Sequence, residues 1–330
     1  ILLYNVHQKD NMKKQFYSFG GVLLTLVIFQ SCMGTTYLNV RHAAQISIPA
    51  DLDSVLVINK TKVEKGKGNQ VINVLEGLVT GEPILGDKYG SKSAVKNMQK
   101  LVIESDRMDL IHNDIINLGL KDISGDTPIK SDIIDSICEE YGADGLIALE
   151  LFDSDSYNSS NSAEVRTQWR VYYPNERKII DEFIVYSGAN DHGFSSLVPA
   201  AYSSISKAGA YGAELYFNRI VPWFTREVRY YYTKGSHEMK AAKKSVKLGN
   251  WDQAIYYWEV ETESQTNQKN EGKAAYNLAL AYEIKEDFDK ALEWIDVSIT
   301  AENRNAIAYK TILQNRKSEM ALIEEQLKRE

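Results

Sequence analysis

The segment Lys247-Leu-Gly-Asn-Trp-Asp-Gln-Ala254-Ile-Tyr-Tyr-Trp258 recurs 37 residues later as Ile284-Lys-Glu-Asp-Phe-Asp-Lys-Ala291-Leu-Glu-Trp-Ile295. A repeat of this length and pattern dictates two helices per unit, joined by a tight turn. The turn wants glycine or a short polar residue. The aromatic after it (Trp251, Phe288) fills the space between the helices, and the alanine (Ala254, Ala291) stands where they approach most closely. Leu278, Ala279 and Tyr282 take first-helix positions in the second unit, with Ala241, Ala242 and Ser245 as their counterparts in the first. Ala306, Tyr309, Leu313, Met320, Ile323 and Leu327 form one stripe of a closing helix. Two units fall short of the three that a stack needs to stand alone. The all-α tail, residues 226–330, must therefore lean on something else.

Near the other end, Lys13-Lys14 precede the apolar run Phe16–Phe29, and Gln30-Ser31-Cys32 close it. The run is 14 residues long, short of the ~20 that a spanning helix needs. Cations, a short apolar run and a small residue before a cysteine predict a cleaved secretory signal of the lipoprotein type. Phe29 and Gln30 stand where a strict lipobox has Leu and a small residue. Cys32 would become the new N-terminus and carry acyl chains, each buried CH₂ contributing about 0.8 kcal/mol to membrane attachment. Met12 is read as the start, because Asp10 is out of place in a cationic leader. The expected organisation is an upstream extension and signal peptide over 1–31, a lipid tether over 32–48, an α+β domain over 49–225 and the helical repeat over 226–330.

The middle of the chain predicts a mixed sheet with a long hairpin. Val55-Leu-Val-Ile58 and Leu146-Ile-Ala-Leu-Glu-Leu-Phe152 read as buried strands. Val165, Thr167, Trp169, Val171 and Tyr173 alternate with Arg166, Gln168, Arg170 and Tyr172. A second strand, Lys178–Tyr186, follows the four-residue turn Pro174–Arg177. Val71–Val79 is an apolar run, and Asp153–Ala163 reads as a loop. Helices are expected over Lys92–Ile103 and from Ser131, read as a cap, to Tyr141. A third helix, Leu197–Phe217, is crowded with Ala, Gly and Ser, which suits either tight core packing or an oligomer face.

The net charge of −7, with no Lys/Arg cluster, argues against nucleic acid and against charge-driven binding to an anionic bilayer. With Cys32 acylated, Cys138 is left alone, and no intrachain disulfide forms. Ile134, Cys138 and Tyr141 share a helix face, so Cys138 reads as a small core hydrophobe.

Residues 235–327 resemble the tetratricopeptide family. That resemblance implies a groove for a segment of another protein, or else a helical cap on the first domain. Trp251, Tyr257, Trp258, Tyr282 and Trp294 are the partner-binding candidates, with Tyr230–Tyr232 and Tyr256 as further aromatic surface. Three pieces together resemble an uncharacterised outer-membrane lipoprotein family of Bacteroidota: Gly81-Glu-Pro-Ile-Leu-Gly-Asp87, Arg219-Ile-Val-Pro-Trp-Phe-Thr-Arg-Glu-Val-Arg-Tyr231 and Gly249-Asn-Trp-Asp-Gln-Ala254. The resemblance brings no activity with it. Surface-exported lipoproteins of that phylum often carry an acidic run after the cysteine. Met33-Gly-Thr-Thr36 has none, which favours the periplasmic face. At fold level the pattern is also similar to lipoproteins of curli-type secretion and to Tol-associated proteins.

Catalytic signals are thin. No histidine pair has zinc spacing. Asp191-His192 near Ser195 is the one hydrolase-like set, without a Gly-x-Ser-x-Gly elbow. No phosphate loop is present, and Asp153 with Asp155 is too sparse for a calcium loop. The expectation is a non-enzymatic lipoprotein of the cell envelope, without metal or cofactor, that scaffolds an envelope protein or peptide. The alternatives are an oligomeric secretion-associated lipoprotein and a periplasmic hydrolase using His192 and Ser195.

Overall fold

The computed structural model describes residues 33–61, 86–118, 127–157, 162–190, 200–264 and 267–329. The leader, Cys32, Val71–Val79, His192 and Ser195 lie outside them. The chain divides into two compact units: one of Arg41–Trp223 with Leu322–Glu330, the other of the segment up to Val40 with Phe224–Ala321.

The α/β unit is built on a mixed six-stranded sheet. Strand β2 (Ser54–Asn59) pairs in parallel with β3 (Asp109–Leu110), β4 (Ile116–Asn117) and β5 (Gly145–Tyr157). Strands β5, β6 (Ser162–Tyr173) and β7 (Lys178–Asn190) continue it antiparallel. Period-two alternation sorts the core. Val55, Val57, Ile147 and Leu149 face helices α1 (Gly86–Glu104) and α3 (Ala200–Ile220). Leu56, Ile58, Leu146 and Ala148 face α2 (Ser131–Tyr141), which contributes Ile134 and Cys138. Gly142, in the left-handed region at φ 69°, ends α2 by donating its N–H to the Cys138 carbonyl. Lys130 rather than Ser131 takes the cap position, and no side-chain cap bond forms.

The small residues of α3 are used inside this unit. A Cβ on Gly209 would meet the Gly90 carbonyl at 2.7 Å, so the backbones of α1 and α3 touch. Asn97 Nδ2 donates to the Ala210 carbonyl (2.7 Å) and Ser93 Oγ to that of Ser206 (2.8 Å). Main-chain pairing also corrects the loop expected over Asp153–Ala163: β5 runs on to Tyr157 and β6 starts at Ser162. The final residues belong here as well. Gln326 brackets the Ala44 backbone with two 2.9 Å bonds, and Arg329 donates to Asp53 and Asp109.

The helical unit begins with a second correction. The expected tether contains strand β1 (Met33–His42), which pairs with β8 (Trp223–Tyr232) in a two-stranded ribbon. Five helices follow: α4 (His237–Lys247), α5 (Trp251–Glu263), α6 (Gln268–Ile284), α7 (Phe288–Thr300) and α8 (Arg304–Gln326). The repeat extends to the backbone. Gly249, Glu286 and Glu302 all adopt positive φ, at 72°, 60° and 60°. After each, the next residue donates its N–H five residues back: Asn250 to Ser245, Asp287 to Tyr282 and Asn303 to Ser298. These are Schellman turns. Asn250 and Asp287 then cap the next helix by accepting the N–H of Gln253 and of Lys290.

Candidate functional site

The repeat aromatics divide between core and surface. Trp258 is fully buried among Ala254, Ala279 and their neighbours. It serves packing, which removes it from the surface candidates. Trp251, Tyr257, Tyr282 and Trp294 are half-buried against the same core. Trp251 lies 6.4 Å from Trp258, the inter-helix plug that the repeat pattern requires. Tyr282 donates to Glu259 Oε1 (3.3 Å) and carries Lys290 5.3 Å over its ring. Tyr256 is 56% exposed and its ring meets Tyr257 edge-on at 5.5 Å, while Leu248, in the turn before this helix, is 84% exposed. Asn250, Asp252, Gln253 and Tyr256 line an open depression there.

Sequence reasoning missed the polar groups that hold β8 to the helices. Asn277, fully buried on α6, imitates a strand backbone: its Oδ1 accepts the Tyr232 N–H (2.7 Å) and its Nδ2 donates to the Tyr232 carbonyl (2.8 Å). Six residues on along the same helix, Glu283 is fully buried. It accepts from Arg229 on β8 (3.0 Å), Arg316 on α8 (2.6 Å) and the Tyr309 hydroxyl. Burial alone would lower the Arg229 guanidinium, but the bond and charge of Glu283 outweigh it and hold it above its ordinary value. Burial and the Glu283 charge raise the Tyr309 phenol.

The α/β unit has a comparable centre. A bulge after Leu149 turns Glu150 out of register. Its carboxylate accepts from Lys60 and from the Tyr172 hydroxyl (2.5 Å), and it forms an ion pair with Arg170 (3.1 Å). Arg170 also donates to Glu182 (2.8 Å), as does Gln168 (2.7 Å). The Arg170 hydrogen bond holds the Glu182 carboxyl below its ordinary value, against the effect of burial. Tyr172 accepts the Ile129 N–H and forms one wall of a hollow of about 140 Å³. Arg177 and Asp135, 3.4 Å apart, stand among the hollow's lining residues. Each of these two carboxylates is met by several partners, which suits it to holding structure together.

Cys138 is buried, and burial pushes its thiol up to about 11. Among the described residues, no group of three His, Cys, Asp or Glu could hold a metal ion. No helix among them is long and apolar enough to cross a membrane.

Two families match along the chain. The one described as domain of unknown function DUF8603 covers residues 52–232, more than half of it. The one described as domain of unknown function DUF6340 covers residues 240–325, the stretch of α4–α8. No curated protein matches. Among solved structures, the PelC dodecamer from Paraburkholderia phytofirmans is 11% identical, covers 54% of this chain and 96% of its own, and has a TM-score of 0.25. The hypothetical protein CT253 from Chlamydia trachomatis is 10% identical over 50% of this chain and 95% of its own, with a TM-score of 0.29. Scores this low bear on neither fold nor function.

Proposed function

This chain belongs to the DUF8603 family, and on that premise we propose that it is a lipid-anchored envelope protein whose helical unit scaffolds another protein or peptide. The anchor reading is carried by Lys13-Lys14, Phe16–Phe29 and Cys32. The scaffold reading is carried by one observation: Tyr256 stands exposed against half-buried Tyr257, in the open depression lined by Asn250, Asp252 and Gln253. An exposed tyrosine with an aromatic neighbour is the residue type most often found anchoring an interface. The site proposed is periplasmic, on the outer membrane, and uses no cofactor.

A photo-crosslinker at Tyr256 in intact cells tests the scaffold. One discrete adduct at Tyr256, absent for a crosslinker at Glu324, supports it; no adduct at either position refutes it. Cys32→Ser tests the anchor, and the expected result is an unprocessed precursor lost from the outer-membrane fraction. Normal maturation and normal sedimentation would overturn it. No observation on the described residues favours the oligomeric or the hydrolase alternative, since α3's glycine face is occupied by α1 and His192 and Ser195 lie outside those residues.

A further inference from the structure

The ribbon of β1 and β8 has two unlike faces. Leu38, Val40, Arg229 and Tyr231 point inward and are buried. A Cβ on Gly34 would strike the Tyr231 ring at 2.7 Å, so β1 is pressed close on that side. The other face exposes Tyr37 (57%), Phe224, Arg226, Val228 and Tyr230. Arg226 holds its guanidinium 4.3 Å over the Tyr37 ring, which places the two strands' outward residues on one surface. Thr35 and Asn39 share Tyr37's alternation on β1, and on β8 the charged residue of this face, Arg226, is a cation set among aromatic and aliphatic side chains. That is the composition of a bilayer interface, where amphipathic rings sit at headgroup depth and a guanidinium meets phosphate.

The path of the chain says what covers it. β1 begins at Met33, the residue after Cys32. Tyr37 is five residues from the cysteine, about 17 Å along a strand rising ~3.3 Å per residue. An acyl group on Cys32 therefore holds this strand within reach of the leaflet at all times. We infer that the exposed face of the ribbon rests on the bilayer that carries the lipid, with Tyr37, Val228 and Tyr230 at the interface and Arg226 on lipid phosphate. This rests on the anchoring reading above and adds an orientation to it: the helical unit's ribbon, rather than a flexible leash, sets the protein against the membrane.

The test uses the full, acylated chain in vesicles of phosphatidylethanolamine and phosphatidylglycerol, some lipids carrying a headgroup nitroxide. An environment-sensitive fluorophore is placed on Val228→Cys, and in a second variant on Tyr230→Cys. Ile307→Cys, an exposed position on α8, is the control. Cys138 is buried with a raised thiol and does not compete for label. Intact mass confirms the acyl groups first. The expected result is blue-shifted emission at 228 and 230, quenched several-fold more by the nitroxide than at 307. Equal quenching at all three positions in acylated protein overturns the ribbon contact and leaves the anchor standing. A blue shift without lipid quenching overturns it in favour of a protein occupant, such as a second copy. An unacylated Cys32 removes the premise, and the inference falls with it.

Discussion

Each unit buries one carboxylate in a cage of two cations and a tyrosine, and the two cages do different jobs. Around Glu150 the partners are Lys60, Arg170 and Tyr172, all on or beside strands whose register is fixed by main-chain pairing. Around Glu283 they are Arg229, Arg316 and Tyr309, from a strand and a helix that the carboxylate itself ties to α6. The cations differ as well. One cage has an amine and a guanidinium that keeps a second carboxylate, Glu182, while the other has two guanidiniums gathered on one acid. The sheet would therefore stand without Glu150, while the attachment of β8 and α8 to the helical stack depends on Glu283.

That contrast orders the expected losses. Glu283→Gln leaves Arg316 buried against a neutral amide, and should cost about 3–5 kcal/mol, the usual penalty for breaking one side of a buried ion pair. Urea unfolding reads it directly. Glu150→Gln should cost less, about 2 kcal/mol, because Arg170 keeps Glu182 and Lys60 keeps the Thr127 carbonyl. If the two variants exchange places, the comparison is broken.

Glu182 sharpens the same point at the rim of the first cage. Its carboxyl is held below the ordinary 4.5 by the bond from Arg170. A depressed folded value gives stability that is present above about 4.5 and lost as pH falls through the lower folded value. With 44% of the side chain exposed, solvent screening keeps the effect below about 1 kcal/mol. Glu182→Gln should therefore be mildly destabilising at neutral pH and indistinguishable from wild type in acid. A loss that persists in acid would mean that Glu182 acts through packing instead.

The helices and the hairpin were legible because each is a local pattern. The repeat alignment even carries down to backbone angles at Gly249 and Glu286. The cages were not legible, because Lys60 and Glu150 are 90 residues apart and Arg229 and Glu283 are 54 apart. Strand β8 shows why this matters. Its alternation is present in Phe224, Arg226, Val228 and Tyr230 against Thr225, Glu227, Arg229 and Tyr231. The inward set contains an arginine, which looks solvated until a distant glutamate arrives to bury it. Asp153–Tyr157 misled in the opposite way: polar side chains on an outward face suggest a loop, while the main chain underneath is fully paired. Of the binding candidates, Trp258 could not be told from a surface tryptophan by spacing alone, since the same repeat positions supply both the plug and the exposed rim.

The smallest effect isolates what the turns contribute apart from the cages. Glu302 holds φ 60° in the third Schellman turn, where Gly249 holds 72° in the first. A side chain in the left-handed region costs roughly 1–2 kcal/mol, and glycine gives part of that back as greater freedom in the unfolded chain, about 0.5–1 kcal/mol. Glu302→Gly should therefore stabilise by about 0.5 kcal/mol. Glu302 touches neither carboxylate, so the gain should add to both Glu283→Gln and Glu150→Gln without coupling. Thermal melting of the two double variants checks it. A gain that disappears only beside Glu283→Gln would show that the turn before α8 and the cage that holds α8 form one cooperative element.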